Sequence, residues 1–242
     1  MERAFGFFGT LIGMEQKVAF FDIDGTVFRS SFLIELVNAL IAEGKFPPEA
    51  QEEFQALYEA WWGREGSYDE YIDAVITTYV KYIRGVYYGD LADIGRRIVA
   101  VQHRRVYRYT RDLIKKLKQE GYYLVAISQS PKTVLDDFCT QYGFDKVYGR
   151  IYELGPQDRF TGVIVDEHLI RNKASIVKRV FDHNPNLIRE DSIAVGDTEG
   201  DIPLLESVDN PICFNPNQAL YNRAKRMKWE VVVERKDVIY YL

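Results

Sequence analysis

Short runs of continuous apolar residues alternate along the chain with longer stretches in which apolar residues recur every three or four positions. The continuous runs are typical of strands buried on both faces, and they occupy residues 18–21, 122–127, 192–195, 211–214 and 230–233. Residues 150–165 alternate in polarity around a Gly-Pro turn, which predicts a hairpin. Strands that alternate with helices are typical of a parallel sheet covered by helices. The pattern therefore predicts the α/β fold class, with a doubly wound (Rossmann-like) parallel sheet.

A long segment between the first two predicted strands, residues 30–109, has no convincing strand pattern. It contains four stretches with the helical period, at about 32–41, 54–62, 67–80 and 90–103. Ser67 and Glu70 have the spacing of a capping box at the start of the third stretch. Four successive amphipathic helices predict a small bundle. We therefore predict an N-terminal tail at 1–16, an α/β core made of 17–29 and 110–242, and an inserted helical cap domain at 30–109.

Polar residues predict where three helices of the core begin. Thr110 is expected to cap a helix that ends at Gly121. Ser130 is expected to cap the helix that follows the second strand. Asp201 is expected to open a helix over residues 202–208.

The composition is that of a soluble, folded protein, since 47% of the 242 residues are hydrophobic and 28% are charged. The net charge of −5 argues against a general nucleic-acid binder. Cys139 and Cys213 are the only cysteines, which excludes a disulfide scaffold and a Cys-rich zinc module. No apolar run reaches the roughly 18–20 residues of a membrane-spanning helix.

The first residues, 1–13, are apolar but lack the basic lead and the cleavage site of a secretory signal. We therefore expect a tail, or a segment that precedes an effective start at Met14. Together with the composition, this predicts a cytoplasmic protein that has neither nucleic acid nor membrane as a partner.

Two carboxylates directly follow the first predicted strand, in the segment Asp22-Ile23-Asp24-Gly25-Thr26. Because side chains alternate along an extended chain, Asp22 and Asp24 are expected to point to the same side. Burying two charges there is costly unless a cation or a reaction needs them. Gly25 allows the chain to turn sharply beside a ligand. The segment is a candidate catalytic site, although Asp and Gly are also common turn residues.

Other strands are also followed by polar residues, namely Ser128 after the second run and Asp197 and Asp201 after the third. In open α/β sheets ligands bind at the carboxyl ends of the strands, so these side chains are expected to lie near Asp22. Carboxylates, waters and substrate phosphate are the ligands that Mg²⁺ prefers. A hydroxyl beside backbone amides can hold a phosphate oxygen. Lys173, taken alone, is typical of a solvated lysine.

Taken together, these residues resemble the motifs of the haloacid dehalogenase-like (HAD) superfamily. The four motifs occur in the order of that family and are Asp22-Ile23-Asp24-Gly25-Thr26, Ser128, Lys173 and Gly196-Asp197-Thr198-Glu199-Gly200-Asp201. The match spans about residues 18–233. The helical insert after the first motif is similar to that of the phosphoserine phosphatase-like branch, subfamily IB.

The resemblance implies catalysis by the two carboxylates of the first motif. Asp22 would attack phosphorus and form an aspartyl-phosphate. Asp24 would protonate the leaving oxygen and then deprotonate the attacking water. Within the superfamily, haloacid dehalogenases lack this second Asp and ion-pumping ATPases carry Thr there. The resemblance therefore implies a phosphatase, or a phosphomutase with the same acid and base.

The resemblance also implies the ligands of the metal and of the phosphoryl group. Mg²⁺ would be held by Asp22, the carbonyl of Asp24 and Asp197. Asp201 would orient the metal shell. The remaining motif residues, Ser128 and Lys173, would hold phosphoryl oxygens.

Three arginines are candidate substrate ligands. Arg29 follows the first motif, while Arg104 and Arg108 lie where the predicted cap returns to the core. Arginine suits planar contacts with a carboxylate or a second phosphate, although a solvated helix face is the alternative. Known phosphoserine phosphatases carry an acidic residue just after the first motif, which binds the amino group of the substrate. Residues 28–31 contain none and Glu35 is the nearest acid, so phosphoserine is not expected to be the best substrate.

These features predict a Mg²⁺-dependent phosphatase (phosphoric monoester hydrolase) that acts on a small phosphorylated metabolite. The predicted cap would limit access for protein or duplex substrates. Two alternatives stay open. A phosphotransferase or phosphomutase would pass the phosphoryl group to a second hydroxyl, and a non-catalytic phosphoester-binding protein would bind without turnover. The oligomeric state stays open as well.

Overall fold

The computed structural model describes residues 15–167, 170 and 172–242. In that part of the chain, one mixed sheet contains eight strands in the order β4-β3-β2-β1-β5-β6-β7-β8. The strands are β1 (Gln16–Asp22), β2 (Tyr123–Pro131), β3 (Lys146–Leu154), β4 (Phe160–Val165), β5 (Leu187–Gly196), β6 (Asn210–Phe214), β7 (Glu230–Arg235) and β8 (Val238–Tyr241). Every pair from β3 to β7 is parallel, and the edge strands β4 and β8 pair antiparallel.

The predicted α/β fold with a doubly wound parallel sheet is confirmed. Each of the five apolar runs lies in one of the central strands β1, β2, β5, β6 and β7. The predicted hairpin is formed by β3 and β4, which are joined through a short 3-10 turn at Pro156–Asp158. Residues 1–14 of the predicted tail lie outside the described residues, and Gln16 already belongs to β1.

The helices of the described residues are α1 (Phe32–Ala42), α2 (Glu49–Trp62), α3 (Tyr68–Ile83), α4 (Tyr88–Gln102), α5 (Arg108–Gln119), α6 (Lys132–Gln141), α7 (Lys173–His183), α8 (Ile202–Leu205) and α9 (Gln218–Met227). The four helical patterns of the insert correspond to α1–α4. Ser67 caps α3 as predicted, since its hydroxyl accepts the amide of Glu70 at 3.2 Å. Within the described part of the chain, no helix is long and apolar enough to cross a membrane.

Helices cover both faces of the sheet because β1 alternates its apolar side chains between them. Ala19 and Phe21 belong to one core cluster, which also includes side chains of α1–α6. Val18 and Phe20 belong to the other, with α7, α8 and α9. The insert therefore shares its core with one face of the sheet. Whether it behaves as a separate cap domain with the boundaries given above stays a prediction.

Gly95 lies inside α4, where a glycine normally weakens a helix. A side chain at this position would clash with α6, since a Cβ would lie 2.8 Å from Cγ2 of Val134. The glycine therefore allows α4 to pack closely on α6.

The predicted cap of the helix at Thr110 is wrong, because α5 begins at Arg108. The amides of Arg108 and Tyr109 donate to the carboxylate of Glu234 in β7, at 3.1 and 2.8 Å. Thr110 lies within the first turn, where its buried hydroxyl donates to the carbonyl of Thr26 at 3.0 Å. A residue distant in sequence thus supplies the acceptor that a local cap normally provides.

The helix predicted over residues 202–208 is shorter than expected. A 3-10 turn at Glu199–Asp201 leads into α8, which ends at Leu205. The amide of Ser207 then bonds to the carbonyl three residues earlier, at Leu204, at 3.0 Å. This tighter bond ends the helix in a turn.

Candidate active site

The carboxyl end of β1 forms the centre of the candidate site, since β1 lies between β2 and β5. Asp22 is the last residue of β1 and only 6% exposed. The chain then turns at Gly25, whose φ is +83°. A Cβ there would lie 2.2 Å from Oδ2 of Asp197. Glycine thus provides both the left-handed conformation and the space that bring the β1 loop against the β5 loop.

Asp24 is held by groups from two segments, the start of α1 and the end of β2. Its Oδ1 accepts the amide of Phe32, at the start of α1, at 2.7 Å. Its Oδ2 accepts the hydroxyls of Ser128 and Ser130, the latter at 2.8 Å. Burial raises the pKa of Asp24 despite these hydrogen bonds, which favour the ionised form. A carboxyl group with a raised pKa is suited to hold a proton and release it again.

The expected capping role of Ser130 is wrong. Pro131 occupies the N-cap position of α6, with no side-chain cap. The Ser130 hydroxyl instead donates to Asp24 and accepts the amide of Leu33 at 3.0 Å. Since Ser130 is buried at the end of β2, its side chain satisfies groups of the site and not the helix. The sequence signal for this role was its position two residues after Ser128.

Lys173 is buried and not solvated, with 6% exposure. Its Nζ donates to Oδ1 of Asp22 at 2.5 Å and also to Oδ1 of Asp201. Burial alone lowers the pKa of Lys173, but the two carboxylates together raise it above its ordinary value, so the amine stays charged. Asn172 positions the lysine on the first turn of α7 by capping that helix at Ala174.

The β5 loop supplies the other two carboxylates. Oδ2 of Asp201 accepts the amides of Asp197 and Thr198, at 3.0 and 3.1 Å. Oδ1 of Asp197 accepts the hydroxyl of Thr26 at 3.1 Å. Ligand oxygens of Asp22, Asp197 and Asp201 lie within 4.8 Å of one another. The sequence analysis assigned no role to Thr26, although it belongs to the first motif.

The donor set fits a hard divalent cation. Burial and the neighbouring carboxylates raise the pKa of Asp22 to about 7 and that of Asp197 well above its ordinary value, even with Lys173 present. Within the described residues, Oδ2 of Asp22 and Oδ2 of Asp197 accept no hydrogen bond. Both oxygens of Asp201 are occupied. Asp22 and Asp197 thus offer the oxygens for a cation, and Asp201 orients the loop.

We expect the affinity for Mg²⁺ to depend on pH, because the cation competes with the proton on Asp22. Affinity should rise by up to about tenfold per pH unit between roughly pH 5 and 7, where Asp22 loses its proton. Calorimetry in two buffers of different ionisation enthalpy would count the protons released. An affinity that stays constant across this range would contradict the expectation.

Tyr68, the first residue of α3, brings the insert to the site. Burial raises the pKa of its hydroxyl, and the carboxylates of Asp24 and Asp197 raise it further. Tyr68 is therefore close enough to both carboxylates to interact with them electrostatically. Beside it, burial and a hydrogen bond with Glu199 raise the pKa of Asp69 to about 6. Nothing in the sequence distinguishes Tyr68 from the other aromatic residues of the insert, because only the path of α3 places it here.

The three candidate arginines lie in different surroundings, and all are exposed. Arg29 lies 5.6 Å from the ring of Tyr107, whose pKa is raised by burial and by Asp197 and lowered by Arg29. Arg29 is thus near the site. Burial raises the pKa of Tyr142, the residue that directly follows α6, and the charge of Arg104 lowers it. Arg108 donates to the carbonyl of Asp237, in the β7–β8 turn, at 2.9 Å. Contact of any of them with substrate stays a prediction.

Among curated proteins, the chain is 24% identical to a phosphoserine phosphatase from Mycobacterium tuberculosis, over 88% of this chain and 69% of that one. It is 22% identical to a histidinol-phosphatase from Neisseria meningitidis, over 90% and 98% of the two chains. A solved phosphoserine phosphatase with an analogue of its phospho-aspartyl intermediate has the same fold, with a TM-score of 0.62, 18% identity and coverage of 92% and 95%.

These similarities confirm the predicted resemblance to the phosphoserine phosphatase-like branch. The family of haloacid dehalogenase-like hydrolases matches residues 19–206, which is most of the chain. The chain therefore belongs to the haloacid dehalogenase-like hydrolase family.

Proposed function

We propose that this protein is a Mg²⁺-dependent phosphatase that hydrolyses a small phosphorylated metabolite through an aspartyl-phosphate on Asp22. The observation that carries the proposal is the pairing of two different carboxylates at the end of β1. Asp22 is ion-paired with the buried Lys173. Asp24 accepts hydrogen bonds from serine hydroxyls, and its own pKa is raised. The names of the phosphatase relatives given above support the reaction class.

Asp22 would be the nucleophile. A carboxylate must be ionised to attack phosphorus, and burial opposes ionisation. Lys173 opposes this effect of burial, since its charge and hydrogen bond lower the pKa of Asp22. Because Lys173 is buried with both partners, it would also hold Asp22 in one orientation for in-line attack.

Asp24 would move the protons. Its raised pKa suits a group that protonates the leaving oxygen and later removes a proton from the attacking water. The hydroxyls of Ser128 and Ser130 now donate to its Oδ2. When substrate binds, the Ser128 hydroxyl would donate to a phosphoryl oxygen instead. That exchange would leave Asp24 less stabilised as an anion, so its pKa would rise further and it would hold the proton that the leaving oxygen needs.

Asp22, Asp197 and the carbonyl of Asp24 would hold Mg²⁺, with Asp201 orienting the β5 loop that carries Asp197. When bound, the cation supplies charge neutralisation for the transferring phosphoryl group. Lys173 supplies a further positive charge at Oδ1 of Asp22.

The substrate is expected to be small and to differ from phosphoserine. Glu35, the nearest acid after the first motif, accepts hydrogen bonds from Ser30 and Gln102 and forms an ion pair with Arg105 at 2.8 Å. Its charge is therefore already compensated, which leaves it poorly suited to bind the amino group of phosphoserine. If phosphoserine had the highest kcat/KM in a metabolite panel, this expectation would be wrong.

The test is phosphate release from p-nitrophenyl phosphate, with Mg²⁺ and with excess chelator. We expect release with Mg²⁺ and a loss of at least about 100-fold with chelator. A bisphosphorylated product without free phosphate, found with sugar phosphates, would favour a phosphotransferase or phosphomutase. Binding of phosphate esters without any turnover would favour the non-catalytic alternative. A faster rate on a phosphoprotein than on every small ester would overturn the predicted substrate class.

A further inference from the structure

A cavity of about 230 Å³ lies next to the end of β2, between the first turns of α4 and α6 and the β3–β4 hairpin. Its wall includes the apolar side chains of Leu91 and Phe160 and the polar side chains of Arg150, Tyr152 and Lys132. A water molecule occupies about 30 Å³ in the liquid, so the cavity has room for a small organic molecule. The proposed phosphatase reaction uses none of these residues.

Arg150 is the main reason to regard the cavity as a binding site. Its side chain is buried, with only 5% exposure. Nη2 donates to Oε1 of Gln129 at 2.5 Å, whereas Nε has no hydrogen-bond partner. The described hydrogen bond of this guanidinium is thus to a neutral amide and not to a carboxylate. Since a buried cation is costly without a counter-ion, the arrangement points to an anionic ligand.

The hydroxyl of Tyr152 adds a donor to the cavity wall, and that of Tyr79 lies buried next to it, outside the wall. Tyr152 follows Arg150 by two residues and points to the same face of β3, where its oxygen can accept a hydrogen bond from the guanidinium while its buried hydroxyl proton has no acceptor. The ring of Tyr79 meets that of Tyr152 edge to face at 5.0 Å, and its hydroxyl is also buried without a partner. Burial raises the pKa of Tyr152, so its hydroxyl stays a donor at neutral pH. Such a cluster of unpaired donors is rare in a protein interior.

The first turn of α6 reaches the same cavity through Lys132 and Thr133. Pro131 provides no side-chain cap for its amides, and the N-terminal end of a helix carries partial positive charge. Lys132 is ion-paired with Asp136 at 2.5 Å, so its charge is compensated. The positive character of the cavity therefore comes from Arg150 and the helix end.

We propose that this cavity binds a small organic carboxylate with a compact apolar body. The two oxygens of a planar carboxylate match the donors of a guanidinium edge and the hydroxyl of Tyr152. Leu91 and Phe160 would contact the apolar part. Gln129 links Arg150 to the strand end between Ser128 and Ser130. The site is therefore adjacent to the phosphoryl site but made of different residues.

The test uses benzoate as the probe, titrated by calorimetry or NMR against the wild type, Arg150→Met and Tyr152→Phe. We expect saturable binding to the wild type, at least about tenfold weaker binding to Arg150→Met and about threefold weaker binding to Tyr152→Phe. Tyr152→Phe removes only the hydroxyl and keeps the ring contacts with Tyr79 and Phe160, so it is expected to keep the fold even if Arg150→Met does not. Benzyl alcohol, similar in size and neutral, should bind at least about tenfold more weakly than benzoate.

Asp22→Asn is the control for position, because Asp22 does not line the cavity. It should bind benzoate with the wild-type affinity, and a clear change of affinity in either direction would place the ligand at the phosphoryl site and overturn the proposal. Equal binding of benzoate and benzyl alcohol, unchanged binding to both cavity variants, or no saturable binding would also overturn it. If inorganic phosphate displaced benzoate from Asp22→Asn, the ligand of the cavity would be a phosphate and the proposed carboxylate would be wrong.

Discussion

Asp22→Asn should abolish phosphate release, with a loss on the order of 10⁴-fold or more. The amide keeps the shape of the side chain but cannot attack phosphorus. It also removes one of the carboxylates that the proposal assigns to Mg²⁺. Initial rates on p-nitrophenyl phosphate with saturating Mg²⁺ would measure the effect. Residual activity above roughly a tenth of the wild type would exclude Asp22 as the nucleophile.

The same variant should remain folded, and this separates a chemical from a structural role. The raised pKa of Asp22 means that the folded, metal-free protein holds a proton that the unfolded chain releases. Ionisation of Asp22 therefore lowers the free energy of unfolding between about pH 4 and pH 7. Asparagine does not ionise, so in chelator at about pH 8 the variant should be at least as stable as the wild type. Asp191→Asn, which changes an exposed carboxylate paired with Lys17, is the matched control with normal activity.

Lys173→Met should lose both activity and stability. Removing the amine leaves the buried carboxylates of Asp22 and Asp201 without their cation. Removing one partner of a buried ion pair typically lowers the free energy of unfolding by about 3–5 kcal/mol. In chelator we expect the free energy of unfolding to fall by that amount. We expect kcat/KM to fall by at least about 100-fold, because Asp22 also loses its orientation.

Urea denaturation with chelator and with Mg²⁺ would measure the change for Lys173→Met. Mg²⁺ should restore part of the lost stability, because it supplies positive charge to the same carboxylates. Lys178→Met is the matched control on the same helix, since Lys178 forms a surface pair with Asp182 and its side chain is 73% exposed. It should change stability by less than about 1 kcal/mol. Equal stability losses in the two variants would contradict the buried role of Lys173.

The fold was predictable because its central strands are continuous apolar runs. A strand such as β1, with Val18 and Phe20 on one face and Phe21 on the other, is apolar throughout when both faces are covered. The expected meeting of Asp22 with Asp197 followed from the same reasoning, since parallel strands end at one edge of the sheet. Local pattern and sheet topology together were sufficient for these features.

Contacts between segments distant in sequence were not predictable in this way. Ser130 and Thr110 both have the local signature of a helix cap, yet their hydroxyls bond to Asp24 and Thr26. The acceptor for the first turn of α5 is Glu234, more than a hundred residues away in the chain. Nothing in the strand pattern around Arg150 predicted that its side chain is buried, because the burial depends on the packing of α4 and α6 around it. Such roles depend on which segments meet.

The first turn of α1 has a consequence for protein engineering. The amides of Phe32 and Leu33 donate to side chains of the site, Asp24 and Ser130. A chimaera that exchanged the insert at residue 30 would replace the donors that hold the side chains of Asp24 and Ser130. A junction placed after Leu33 would keep this anchor and the stacked rings of Phe28 and Phe32, 4.0 Å apart. The start of the insert is thus part of the candidate site, and a grafted insert should begin one turn later.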